Sequence, residues 1–67
     1  MTHIEQRPYG YLVSTNNGRW RYSFVRKEGT NAYELGSYVG PSGSEAGWCE
    51  KNAAKAAMLR NGHELVV

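Results

Sequence analysis

Cys49 and His63 come nearest to nucleophilic chemistry in this chain: a thiol, and an imidazole able to take its proton. Glu45 and Glu50 form a possible acid–base pair, and His3 and His63 are the two imidazoles available to a metal. Each has a plainer reading. A helical wheel turns Cys49 toward a sheet, where a thiol serves as a small apolar filler. Glu45 and Glu50 are solvated carboxylates that complement the positive start of a helix. The two histidines lack a third ligand at usable spacing. The sequence therefore predicts no catalytic centre, no metal and no cofactor.

Binding chemistry is better represented. Arg19, Arg21 and Ser23 alternate along one run, Arg26 and Lys27 follow in a turn, and Tyr38 closes a later run. A β-sheet face can enter a DNA major groove, where arginine makes paired hydrogen bonds to guanine. Those six residues are the predicted DNA-contact set. Gly36, Gly40, Gly43 and Gly47 lead into a helix start, whose free N–H groups can hold a phosphate oxygen. No Lys-Ser/Thr follows, so this is not a P-loop, and a mobile loop needing positive φ is the better explanation of the glycines. The arginine face also has a plain reading, the solvated side of a half-buried sheet. Leu12 and Val25 on that face argue for contact with something.

The elements that must position these groups follow from periodicity. Tyr9, Tyr11 and Val13 alternate with Gly10, Leu12 and Ser14; Trp20, Tyr22 and Phe24 alternate with Arg19, Arg21 and Ser23. Period two means strands. Asn17-Gly18 between them suits the two positive-φ centres of a type I′ turn. That turn pairs Val13 with Tyr22 and Tyr11 with Phe24, which gathers the large rings on one face. A second turn falls at residues 27–30, and a third strand runs over Ala32–Val39, with Tyr33, Leu35 and Val39 inward and Glu34, Gly36 and Tyr38 outward. After a loop at residues 40–44, Ser44 caps a helix that runs to about Asn61 and ends at Gly62. Its predicted buried face is Trp48, Cys49, Asn52, Ala53, Ala56 and Leu59, with Lys51, Lys55 and Met58 pointing away. Residues 63–67 are a fourth strand, a docked tail or an edge that pairs with a second chain.

The predicted fold is α+β: a three-stranded antiparallel meander packed on one C-terminal helix, with a possible short fourth strand. Residues 1–7 are a flexible lead-in and residues 8–67 a single β-β-β-α domain. The chain has 67 residues, a net charge of +2, 40% hydrophobic and 12% aromatic residues, which suits one compact domain with a thin core. One cysteine excludes an intrachain disulfide and fits a reducing, cytoplasmic address. No apolar run is long enough to span a membrane and no signal peptide is legible. The modest charge permits nucleic-acid binding without arguing for it.

Gly18-Arg19-Trp20-Arg21-Tyr22-Ser23-Phe24, then Leu35-Gly36-Ser37-Tyr38, then Ser44-Glu45-Ala46 and an alanine-rich helix ending at Asn61-Gly62 carry a resemblance. Over residues 18–62 the chain resembles the N-terminal arm-type DNA-binding domain of phage-type tyrosine-recombinase integrases. The resemblance implies a three-stranded sheet on a helix, with Arg19, Arg21, Ser23 and Tyr38 reading duplex DNA and Trp20, Tyr22, Phe24 and Leu35 as core. It departs at residues 39–43, at Gly47 and in its modest charge, and the 67 residues hold no recombinase catalytic domain. Residues 50–57 are also similar to the last helix of double-stranded-RNA-binding domains, without that family's first helix. The leading expectation is a small non-enzymatic DNA-binding module. The alternative is a small phage or mobile-element protein-binding module that inhibits a host complex, with Leu12, Val25, Tyr38, Met58 and residues 65–67 in contact. A homodimer through the C-terminal edge is also expected to be open to it.

Overall fold

The computed structural model describes the backbone of residues 2–41 and 46–66, and their side chains except those of residues 46–49. Five strands form one sheet in the order β1-β2-β3-β4-β5: His3–Arg7, Gly10–Thr15, Trp20–Arg26, Ala32–Val39 and Glu64–Leu65. One helix, α1 (Ala46–Arg60), lies across the inner face over β2, β3 and β5. The architecture is α+β, with five strands where the sequence predicts three and a possible fourth.

The central hairpin forms as its turn chemistry requires. Asn17 has φ 58° and Gly18 φ 88°, the paired positive values of a type I′ turn. The predicted register follows, with Val13 opposite Tyr22 and Tyr11 opposite Phe24. At residues 27–30 the Thr30 N–H donates to the Lys27 carbonyl at 3.1 Å, and Gly29 supplies the positive φ.

Residues 3–7 are strand rather than a lead-in. β1 pairs with β2 from His3↔Ser14 to Arg7↔Gly10, joined by a two-residue turn at Pro8 and Tyr9. Its one apolar residue, Ile4, packs on the core. Gly10 is needed at this corner, because a Cβ there would run into the Phe24 carbonyl oxygen.

A β-bulge between β3 and β4 changes the predicted facing of β4. Phe24 pairs with Leu35, but Ser23 pairs with Ser37, so Gly36 is the extra residue. Before the bulge Tyr33 and Leu35 face inward, as predicted. Beyond it the alternation flips: Tyr38 pairs with Tyr22 on the inner side, and Val39 pairs with Arg21 on the outer side.

The core is Val13, Trp20, Tyr22, Phe24, Ala54, Ala57 and Met58, with Ile4, Tyr11, Tyr33, Leu35 and Leu65 packed against it. The helix is rotated from its predicted phase. Met58, expected outside, is fully buried, while Leu59 is 57% exposed and Asn52 is also exposed. The helix end explains this. His63 N–H donates to the Met58 carbonyl at 3.1 Å and Gly62 N–H to Leu59 at 3.0 Å, with Gly62 at φ 83°. This Schellman closure reverses the chain and delivers β5 to the sheet. β5 runs parallel to β4, pairing Ala32↔Glu64 and Tyr33↔Leu65. A parallel neighbour needs a crossover, and α1 is that crossover. The tail is therefore a short strand within the sheet. The predicted cap at Ser44 and the acidic first turn at Glu45 lie outside the described residues.

Candidate functional site

The outer sheet face is the broad surface that α1 leaves uncovered. The strand registers arrange it as three cross-strand rows. Arg7, Gly10, Val25 and Glu34 form the first; Glu5, Leu12, Ser23 and Ser37 the second; His3, Ser14, Arg21 and Val39 the third. Two arginines and two glutamates share the face, so its formal charge balances. Arg7 and Glu5 are bound to one another at 3.3 Å, and both are about half exposed. Such a surface pair contributes little to stability, but it neutralises the cation locally. Leu12 and Val25 are half-buried at the centre, and Val39 is 68% exposed at the β4 side.

The structure scatters the predicted DNA-contact set. Arg21 and Ser23 stand on the outer face, where the alternation places them. Arg19 is exposed in the β2–β3 turn, and its N–H donates to the Asn16 carbonyl. The Arg21 Nε donates to the Gly18 carbonyl at 3.4 Å, which draws this side chain toward the same corner. Arg26 and Lys27 lie at the far end of β3, about seven residues or roughly 23 Å along a strand from Arg19. Arg26 also alternates onto the inner side, with Tyr33 as its partner. It helps line an open groove of about 470 Å³ between the hairpin tips, with Tyr9, Tyr11, Glu28 and Tyr33.

Tyr38 is absent from the arginine face because the Gly36 bulge turns it inward. Its ring stacks on Tyr22 at 5.8 Å and lies 6.4 Å from Trp20. Trp20 and Tyr22 stack at 6.2 Å, making a three-ring cluster that ends in Tyr38, 61% exposed. Burial first, then the Glu50 carboxylate and Tyr38, push the Tyr22 phenol above its ordinary pKa. Gly40 lets the chain leave β4 against this cluster, since a Cβ there would overlap the Trp20 ring.

Among the described residues, those with catalytic potential do not assemble. His63 packs between Tyr11 at 4.2 Å and Tyr33 at 5.6 Å, ring to ring. The Cys49 side chain, and Gly43 with its phosphate cradle, lie outside the described residues. Among the described residues no three His, Cys, Asp or Glu side chains gather as metal ligands. No helix among them is long and apolar enough to cross a membrane.

Two members of the predicted protein-contact set also change place. Met58 is core, and Leu65 packs against the core. Glu5, Arg7 and Val39 join the outer face without having been read as site residues. The first two were hidden in an unpatterned lead-in and the third behind the bulge. Comparison of the chain with protein-family models, curated proteins and solved structures finds no match.

Proposed function

We propose that this chain is a small non-enzymatic protein-binding module that docks its partner on the outer sheet face. The observation that carries the reading is the composition of that face. Its charges balance, Leu12 and Val25 lie diagonally adjacent at its centre, and Val39 adds a separate exposed apolar residue on β4. Protein interfaces combine an apolar centre with a polar rim and arginine, which this arrangement supplies. A duplex-binding face needs unpaired positive charge against phosphates. The single cysteine fits action in a reducing cytoplasm. A phage or mobile-element inhibitor of a host complex is the kind of protein this describes.

One observation favours a second reading, a DNA-binding module like the integrase arm domains. Arg19 and Arg21 are both exposed at the β2–β3 corner. On that reading Arg21→Ala removes about 1–3 kcal/mol of base discrimination.

Titration against random duplex DNA at two salt concentrations separates the two. The protein-binding reading predicts no association that falls steeply with salt. Affinity capture with the full chain should then retain a partner with the helix-surface variant Asn52→Asp and lose it with Val25→Asp. Tight duplex binding that collapses with added salt overturns this reading in favour of the second, because counterion release is the signature of phosphate contact.

A further inference from the structure

The two edges of the sheet are unequally covered. β5 pairs with Ala32 and Tyr33 of β4, and Val66 bonds on to the Tyr33 carbonyl beside Glu34, so among the described residues no strand lies against the outer edge of residues 35–39. Four of these five residues are exposed, and Leu35 is half-buried. Tyr38 and Val39 are among the most exposed large hydrophobic side chains of the molecule. An open edge of this kind offers its backbone donors and acceptors to another extended chain.

We propose that residues 35–38 of β4 pair antiparallel with the same residues of a second copy, about a two-fold axis between Gly36 and Ser37. This goes beyond the proposed use of the outer face, which the pairing leaves uncovered and extends into one surface across both copies.

Three features of the segment select a second copy as the occupant. The first is facing. Paired residues in a sheet must share a face. Here Leu35 and Tyr38 face inward, while Glu34, Ser37 and Val39 face outward, because the bulge flips the alternation. The two-fold register pairs Leu35 with Tyr38, so both copies of that pair match in facing. Moving the register by one residue places Leu35 opposite Ser37 or Val39 and breaks the match.

The second feature is the direction of the backbone. The Tyr33 carbonyl accepts the Val66 N–H at 2.8 Å, so Tyr33 points its polar groups away from β3. Period two carries that outward set to Leu35, and the bulge carries it on to Tyr38. The same register therefore pairs outward residues with outward residues. The third feature is charge. Glu34, just before the segment, is the nearest charged residue of β4, and antiparallel pairing sends the two carboxylates to opposite ends. Parallel pairing would set them side by side.

Edge pairing over four residues is small beside a standard protein interface, so the dimer is reversible and concentration-dependent. Sedimentation equilibrium of the full chain over a wide concentration range tests it. The expected result is a monomer–dimer equilibrium. Ser37→Lys and Ser37→Glu each place like charges beside the axis and should weaken the dimer at least about fivefold. An equimolar mixture of the two should restore it. Gln6→Lys, on the opposite edge, should leave it unchanged. Circular dichroism of each variant checks that the fold is kept. A chain that stays monomeric at every concentration overturns the proposal. So does a dimer indifferent to both Ser37 variants, which places the contact elsewhere. Neither result bears on partner docking at the outer face, which the Val25→Asp comparison reads separately.

Discussion

β1 and β4 present the two long edges of the same sheet, and they are built differently. β1 carries His3, Glu5 and Arg7 on one side and Gln6 on the other, around a single apolar Ile4. Charged edges of this kind discourage pairing with further strands. Among the described residues the open part of β4 is residues 35–39, which carries no charge and ends in Tyr38 and Val39. A bulge can itself blunt an edge by twisting it. Here it also gives the segment a register in which it matches itself. One edge thus closes the sheet, and the other leaves it open to extension.

The comparison can be broken most strongly from beneath. Met58 is fully buried at the helix end that turns the chain into β5, the strand that covers the first two residues of β4. Met58→Ala should lose about 2–5 kcal/mol in urea unfolding, with the cavity term included. Leu59→Ala, one residue on and exposed, should change stability by less than about 0.5 kcal/mol. Equal effects would contradict the observed helix phase.

A smaller contrast separates the glycines next to the two edges. Gly10→Ala, on the β1 side, forces a Cβ into the Phe24 carbonyl and should destabilise by about 1–3 kcal/mol. Gly36→Ala, at the β4 bulge, brings its Cβ to an ordinary 3.4 Å from Val25 Cγ2. It should be neutral or stabilise by about 0.4–1 kcal/mol, because alanine restricts the unfolded chain. Urea midpoints of the two variants check this.

The smallest effect appears only in alkali. Burial, Glu50 and Tyr38 raise the Tyr22 phenol in the folded state. The folded form then holds a proton that the unfolded form has released, so this stabilisation is complete below about pH 10. It is lost as pH rises through the folded value. Stability should fall above about pH 10, and Tyr22→Phe should flatten that part of the profile. A profile unchanged by the substitution would remove Tyr22 as its source.

Much of this fold was legible in the residues, and the failures have physical causes. Asn17-Gly18 requires a particular backbone, so the β2–β3 register followed from local chemistry. β1 has only Ile4 as an apolar signal, and the free edge of β2 decides its pairing. Gly36 inside a strand was a readable sign of a bulge, but period two carried straight through it inverts Tyr38 and Val39. The alanine-rich helix has little apolar asymmetry, so the closure at Gly62 and the docking of β5 set its phase instead. The outer face was half legible. Arg21, Ser23 and Glu34 were placed correctly, but Glu5 and Arg7 reach that face only through the tertiary pairing of β1.

The unequal edges are the centre of this account, and residue-resolved amide hydrogen exchange at low and high protein concentration tests them most directly. The amides of Leu35 and Tyr38 should exchange quickly in dilute solution and become protected as concentration rises, while those of β1 stay unchanged. Protection of Leu35 and Tyr38 that is the same at every concentration, or a concentration-dependent gain confined to β1, would contradict it.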